Sequence, residues 1–344
     1  MQQPFVFNGQ SIAPGTRVTT DLILPRLNSR THLAMPVHVI HGKKAGPRMF
    51  VSSAVHGDEI NGIEITQRLL EHKSLRYLQG TLLVVPVVNV YGVIHQSRYL
   101  PDRRDLNRSF PGSETGSLAA RVAHIFINQV IAHCSHGIDL HTGAIHRTNL
   151  PQIRANLDDE ETAILARSFG APVLLNSPMR EGSLRASAAE MGIRILLYEA
   201  GEALRYDEFG IRAGLEGILN VMRELDMLRK RKLPRKGIEP FVARSSSWIR
   251  APESGVLRYP VKLGARVSKG DILGQISDPY SQESAPLVAP YRGVVIGSTQ
   301  IPLVHEGEAL FHIARFNDDL DDVVDTLEEF ELSHQDEELY EDPG

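Results

Sequence analysis

Apolar residues in the first two thirds of the chain fall into short continuous runs that alternate with stretches of helical period. Arg48–Val55 (RMFVSSAV), Thr81–Val88 (TLLVVPVV), Gly137–Leu140 (GIDL), Val173–Leu175 and Ile193–Tyr198 (IRILLY) read as strands buried on both faces. Glu59–His72, Val122–Ile131, Glu160–Phe169, Leu184–Met191 and Gly214–Leu228 place their apolar residues three and four apart and read as amphipathic helices. The first fifty residues are strand-rich, with Asp21–Pro25 and Leu33–Ile40 set off by Gly and Pro. Strands that are apolar throughout, interleaved with helices, predict an α/β domain with a mostly parallel mixed sheet flanked by helices.

The pattern changes after the basic, proline-broken stretch Arg229–Lys236 (RKRKLPRK), which reads as a connector. Short β-like pieces follow at Gly255–Val261, Ala265–Ile276, Pro286–Ile296 and Ala309–Ile313, predicting a small all-β domain. The expected organisation is a main domain over residues 1–236, the β-domain over 237–316 and an acidic tail over 317–344, a helix that frays toward its end.

Composition narrows the class. With 344 residues, 42% of them apolar, the chain can bury a core without staples, and its one cysteine, Cys134, excludes an intrachain disulfide. No basic and apolar leader opens the sequence and no run of eighteen apolar residues occurs, so the expectation is a cytoplasmic protein with no membrane partner. Thirteen acidic residues and no Lys or Arg follow Asn317; without them the net charge of −5 becomes +8. A mildly basic body suits small anionic substrates as well as nucleic acid, and a solvated surface is the plainer reading, so no nucleic-acid partner is expected.

Four pieces carry candidate chemistry. His56-Gly57-Asp58-Glu59 ends a predicted strand, and its His and Glu, three apart, can face one point as partial ligands for zinc. His-x-x-Glu is a weak signal alone; Asp139-Leu140-His141-Thr142-Gly143 adds a second strand-end histidine as a third ligand, with Asp139 placed to orient a ring. Asp105-Leu106-Asn107-Arg108 lies among Arg98, Arg103 and Arg104, an arginine loop suited to carboxylates. Glu199, in Tyr198-Glu199-Ala200-Gly201-Glu202, sits where a carboxylate can serve as general base, with Glu202 as its competitor.

In this order HGDE, DLNRSFPG, DLHTG and YEAGE resemble the succinylglutamate desuccinylase/aspartoacylase family, a branch of the carboxypeptidase A-like zinc hydrolases, over about residues 7–230. The resemblance implies one zinc per chain held by His56, Glu59 and His141, with Glu199 as general base toward zinc-activated water. It implies that Asn107 and Arg108 hold a substrate carboxylate, that Arg185 is a further substrate-binding arginine, and that an arginine ahead of DLNR polarises the scissile carbonyl. Arg98 is the better match for that role and Arg104 the alternative. The C-terminal GVLRYPVKLGARVSKGDILGQI and PLVAPYRGVVIG resemble a lipoyl- or biotinyl-type β-sandwich, but the hairpin tip Ser277–Pro286 lacks a carrier lysine, so it reads as a non-carrier domain shielding the site. The expected activity is hydrolysis of a small anionic N-acyl amino acid at its linear amide. Competing readings are a carboxypeptidase on short peptides, a deacetylase of an N-acetylated diamino acid and a non-enzymatic metal-binding scaffold. Homo-oligomer assembly through the β-domain or the tail stays open.

Overall fold

The computed structural model describes residues 2–230, 239–281 and 283–335. From residue 231 to 236 the expected connector lies outside the described residues, as does the acidic end from residue 336. In chain order the elements that build the molecule are β1 (Thr16–Ile23), β2 (Ala34–His41), β3 (Lys44–Ser53), α1 (Asn61–Glu71), β4 (Gln79–Val85), α2 (Leu118–Gln129), β5 (His136–Gly143), β6 (Arg147–Ala155), α3 (Glu160–Phe169), β7 (Val173–Asn176), α4 (Leu184–Glu190), β8 (Arg194–Glu202), α5 (Glu208–Glu224), β9 (Ser245–Arg250), β10 (Gly293–Thr299), β11 (Ala309–Arg315) and α6 (Leu320–Gln335).

One large mixed sheet runs in the order β9-β11-β10-β6-β8-β5-β3-β4-β2-β1. Its inner strands β8, β5, β3 and β4 are parallel. Toward one edge β2 and β1 run antiparallel; toward the other, β6, β10, β11 and β9 do. The sheet is mixed, as expected, with its parallel part at the centre. Parallel neighbours need long crossovers, and the connections between the inner strands contain helices; at one edge β1 and β2 are antiparallel and consecutive in the chain. The expected all-β segment is present, and β10 pairs with β6, so the large sheet continues into it. Beside it a smaller four-stranded sheet holds Gly255–Arg258, Ile272–Ser277, Ser284–Val288 and Leu303–Val304.

Strand parity sorts the two apolar layers. Val51, Val84, Ile138, Leu196 and Tyr198 pack with α1, α3 and α5 through Ile65, Leu69, Phe169 and Ile218. Phe50, Leu83 and Val85 point the other way, toward α2 and α4 through Val122, Phe126, Leu184 and Ala188. Among the described residues no helix is long and apolar enough to cross a membrane.

Two strands escape the sequence pattern. β6 (RTNLPQIRA) buries Asn149, Pro151 and Gln152 where an apolar run is expected, and β9 (SSSWIR) is mostly exposed. β4 ends at Val85 rather than Val88 because Pro86 has no N–H for the ladder; its carbonyl accepts from the Ser53 hydroxyl instead.

Candidate metal and catalytic site

The register of the inner strands brings the candidate residues onto one face. Glu199 on β8 stands opposite His141 on β5 and Gln152 on β6, forming one row across three strands. The next row is Ser52, Asp139, Leu197 and Arg154. Residues two apart on a strand share a face, so Asp139 with His141, and Gln152 with Arg154, look the same way as Glu199.

The HGDE segment reaches that face through a tight turn. Beyond β3 the backbone of Ala54 takes a left-handed conformation (φ 50°), and Glu59 N–H donates to the His56 carbonyl at 3.2 Å. Gly57 passes so close to a neighbouring segment that a Cβ there would lie 2.0 Å from the Gly92 carbonyl carbon. The turn aims both side chains at His141. His56 Nδ1 lies 2.7 Å from Glu59 Oε1, and His141 Nδ1 lies 2.7 Å from Glu59 Oε2. One ligand atom from each of the three buried residues falls within 4.8 Å of the others.

Each imidazole is held from behind. His141 Nε2 meets Asp139 Oδ2 at 2.7 Å, and Asp139 Oδ1 accepts from the Ser52 hydroxyl at 2.7 Å. His56 Nε2 meets Asp105 Oδ1 at 3.2 Å. A carboxylate on the remote nitrogen fixes ring orientation and makes the near nitrogen more basic, the usual support of a metal-binding histidine. Burial disfavours the charged rings, yet Glu59 and Asp105 raise the His56 pKa, and Asp139 and Glu59 raise that of His141 well above its ordinary value. Asp105 is half-buried, which disfavours its charge, but His56 and Arg98 hold it well below the usual carboxylate range.

The two candidate loop arginines separate. Arg98 donates through Nε and Nη2 to Asp105 Oδ2 and places Nη1 3.2 Å from both Glu59 Oε1 and His56 Nδ1. Arg104 is largely exposed and lies 3.9 Å from Asp102. Asn107 accepts from the Leu184 N–H at 2.9 Å, which ties the arginine loop to the first turn of α4 and satisfies one of that helix's free donors. Arg108 is exposed, donates to the Asn107 carbonyl and has its pKa lowered by partial burial. Arg185, on the same first turn, donates to the carbonyls of Ser177 and Pro178 at 3.3 Å.

Glu199 accepts from Asn149 Nδ2 at 2.6 Å, and Arg154 Nε lies 3.2 Å from its other oxygen without hydrogen-bond alignment. Glu202 instead accepts from the His146 N–H at 3.0 Å, so it braces the loop after β5. Asp105, Asn149 and Arg154 are site residues that sequence reasoning assigns no role, although Asp105 stands in the quoted DLNR motif.

Two imidazoles and one carboxylate form a donor set of the kind that holds a divalent cation with an open position. A model of the succinylglutamate desuccinylase/aspartoacylase catalytic domain matches residues 45–225. The N-alpha-acetyl-L-2,4-diaminobutyric acid deacetylase of Halomonas elongata is 27% identical over 307 residues, covering 81% of this chain and 85% of that protein. The structure of a succinylglutamate desuccinylase/aspartoacylase from Rhodobacter sphaeroides superposes with a TM-score of 0.78 at 24% identity, covering 87% of this chain and 96% of that one. The product-bound ectoine utilization protein EutE (DoeB) from Ruegeria pomeroyi also gives 0.78, at 23% identity, over 87% and 95%. At these identities the two structures establish a common fold.

Proposed function

This chain belongs to the succinylglutamate desuccinylase/aspartoacylase family, and from that premise we propose that it is a zinc-dependent amidohydrolase of a small N-acyl amino acid. The observation that carries the reading is the convergence of His56, Glu59 and His141, each imidazole backed by its own aspartate. The donor set fits zinc, which takes imidazole nitrogen and carboxylate oxygen and in catalytic sites keeps three protein ligands. Bound there, zinc supplies Lewis acidity, polarising a carbonyl and lowering the pKa of water to about 7.

The chain's own residues do the rest. Glu199 accepts a proton from the attacking water and returns it to the leaving nitrogen; Asn149 holds the carboxylate for both transfers. Arg98, fixed by Asp105, presents Nη1 where negative charge develops on the carbonyl oxygen. Arg108 and the Nδ2 of Asn107 bind the carboxylate of the amino acid and set its orientation. Arg185 contributes a further substrate contact. Residues 1–236 carry the chemistry on this reading, and the 237–316 segment forms one wall.

The test is Glu199→Gln, with metal content and amine release from N-acyl amino acids measured on the same preparation. Retained zinc with turnover reduced about 10²–10⁴-fold is expected of a lost general base. Full turnover removes Glu199 from the role; a chain that binds no metal and stays inert after zinc addition overturns the hydrolase reading. Deacetylation of an N-acetylated diamino acid is the second reading, favoured by the named activity of the Halomonas elongata relative.

A further inference from the structure

Asn61 is the first residue of α1, two positions beyond Glu59, and it is buried. The helix starts without a side-chain cap, although asparagine is among the residues favoured for capping. Its side chain reaches away from its own helix instead. Nδ2 donates to the Ala200 carbonyl on β8 at 3.1 Å, and Oδ1 accepts from the Asp207 N–H, just ahead of α5, at 3.0 Å. Both polar atoms of one amide are therefore engaged by the segment that follows Glu199.

That segment is irregular. β8 pairs evenly with β5 as far as Glu199 and His141, and the next pair is Glu202 with Gly143. β8 thus takes three steps where β5 takes two, a bulge immediately after Glu199. On the β6 side the register breaks at the same place, between Glu199 and Gly201. Gly201 lies in the bulge with φ 72°, a left-handed conformation that glycine adopts without strain. A Cβ there would lie 2.8 Å from Asn61 Nδ2 and 2.8 Å from Asp207 Cβ, so the asparagine amide packs directly on the bulge.

The bulge decides which way Glu199 looks. A one-residue slip moves side chains to the opposite face of a sheet. Here it would carry Glu199 from the face of His141 toward the layer that holds Tyr198. With the ladders to β5 and β6 both irregular at this point, the Asn61 amide supplies a fixed position, bonded before Gly201 at Ala200 and after it at Asp207. A backbone tie runs alongside, from the Leu204 N–H to the Asp58 carbonyl at 2.8 Å. The bulge is thereby referenced to the HGDE turn, the same turn that carries His56 and Glu59.

We propose that Asn61 is a positioning residue, which sets the aim of the Glu199 carboxylate relative to His56, Glu59 and His141 by pinning the β8 bulge to the HGDE turn. It acts through Glu199, and the inference rests on the amidohydrolase reading.

The experiment is a double-variant cycle on the full zinc-loaded chain: Asn61→Asp, Glu199→Gln and the two combined. Zinc affinity, kcat and KM for N-acyl amino acids are measured on each. The aspartate keeps an acceptor for the Asp207 N–H and loses the donor to Ala200. In Asn61→Asp the expected kcat falls about 10²-fold, the weight of a misplaced catalytic group, while KM and zinc affinity stay near their wild-type values. In the Glu199→Gln background the same change costs no further turnover, because the group through which it acts is gone. Damage to the fold at large would instead lower zinc affinity and the residual turnover of Glu199→Gln as well. Asn61→Ser, uncharged and too short to bridge, gives the same pattern and serves if the aspartate variant does not fold. An unchanged kcat, a zinc affinity that falls with kcat, or an equal loss in the Glu199→Gln background overturns the proposal. If the wild-type chain cleaves no N-acyl amino acid, the amidohydrolase reading fails by itself. Crystal structures of the wild type and Asn61→Ser then decide the positioning role, which falls if the bulge and the Glu199 carboxylate coincide in the two.

Discussion

Asp139→Asn is nearly isosteric, so it tests the support of the metal site without opening a cavity. In the zinc-loaded chain Asp139 Oδ2 would accept from His141 Nε2–H, which leaves the lone pair of Nδ1 for the cation shared with Glu59. The Ser52 hydroxyl donates to Oδ1 and therefore orients an asparagine placed here: its oxygen stays on Ser52 and its NH₂ turns to His141. Nε2 must then accept, and the ring proton moves to Nδ1, where Glu59 Oε2 at 2.7 Å receives it. Zinc has to displace that proton, and the ring has also lost its anionic partner. Loss of such a partner costs about 10–100-fold in metal affinity, or about 1.4–2.8 kcal/mol.

The assay is competition for zinc against a chromophoric chelator, with denaturant unfolding of the metal-free proteins to confirm that both remain folded. The double variant Ser52→Ala/Asp139→Asn makes the reasoning specific. With the hydroxyl gone the amide is free to reverse, present its oxygen to Nε2–H and restore the metal-ready tautomer, so part of the affinity returns. Zinc affinity unchanged in Asp139→Asn, or a double variant that binds no more tightly than the single one, refutes the tautomer argument.

Gly57→Ala should lower stability by about 1–3 kcal/mol, the usual cost of overpacking, because its Cβ would meet backbone atoms of Gly92 and Val93 at 2.0–2.4 Å; an unchanged denaturation midpoint would show that the HGDE turn yields freely. His312 predicts an acid lability. Burial and Arg154 lower its pKa from 6.5 to about 3, so between those values the unfolded chain binds a proton that the folded chain refuses, and stability falls with falling pH. His312→Phe removes that term, and its stability relative to wild type should improve steadily from pH 7 to pH 4 in denaturant titrations. Parallel curves would mean that the ring is protonated without cost.

The residues that could be placed from sequence are those whose strands announce themselves. His56, Asp139, His141 and Glu199 end or follow apolar runs, and the carboxyl edge of a parallel sheet is where such ends meet. Arg98 and Arg104 lie six residues apart in the same polar loop, where only the family resemblance puts Arg98 first. The fold separates them by pairing Arg98 with Asp105 and leaving Arg104 in solvent. β6 went unread for a more basic reason. A strand is recognised by apolar positions at period two, but the face β6 turns to the site carries Gln152 and Arg154, and Pro151 interrupts it besides. The polar residues that give this strand its chemistry are the ones that erase its signal. Buried polar atoms without partners are therefore the trace such a strand leaves in the structure, and around Glu199 they reveal what the hydrophobic pattern conceals.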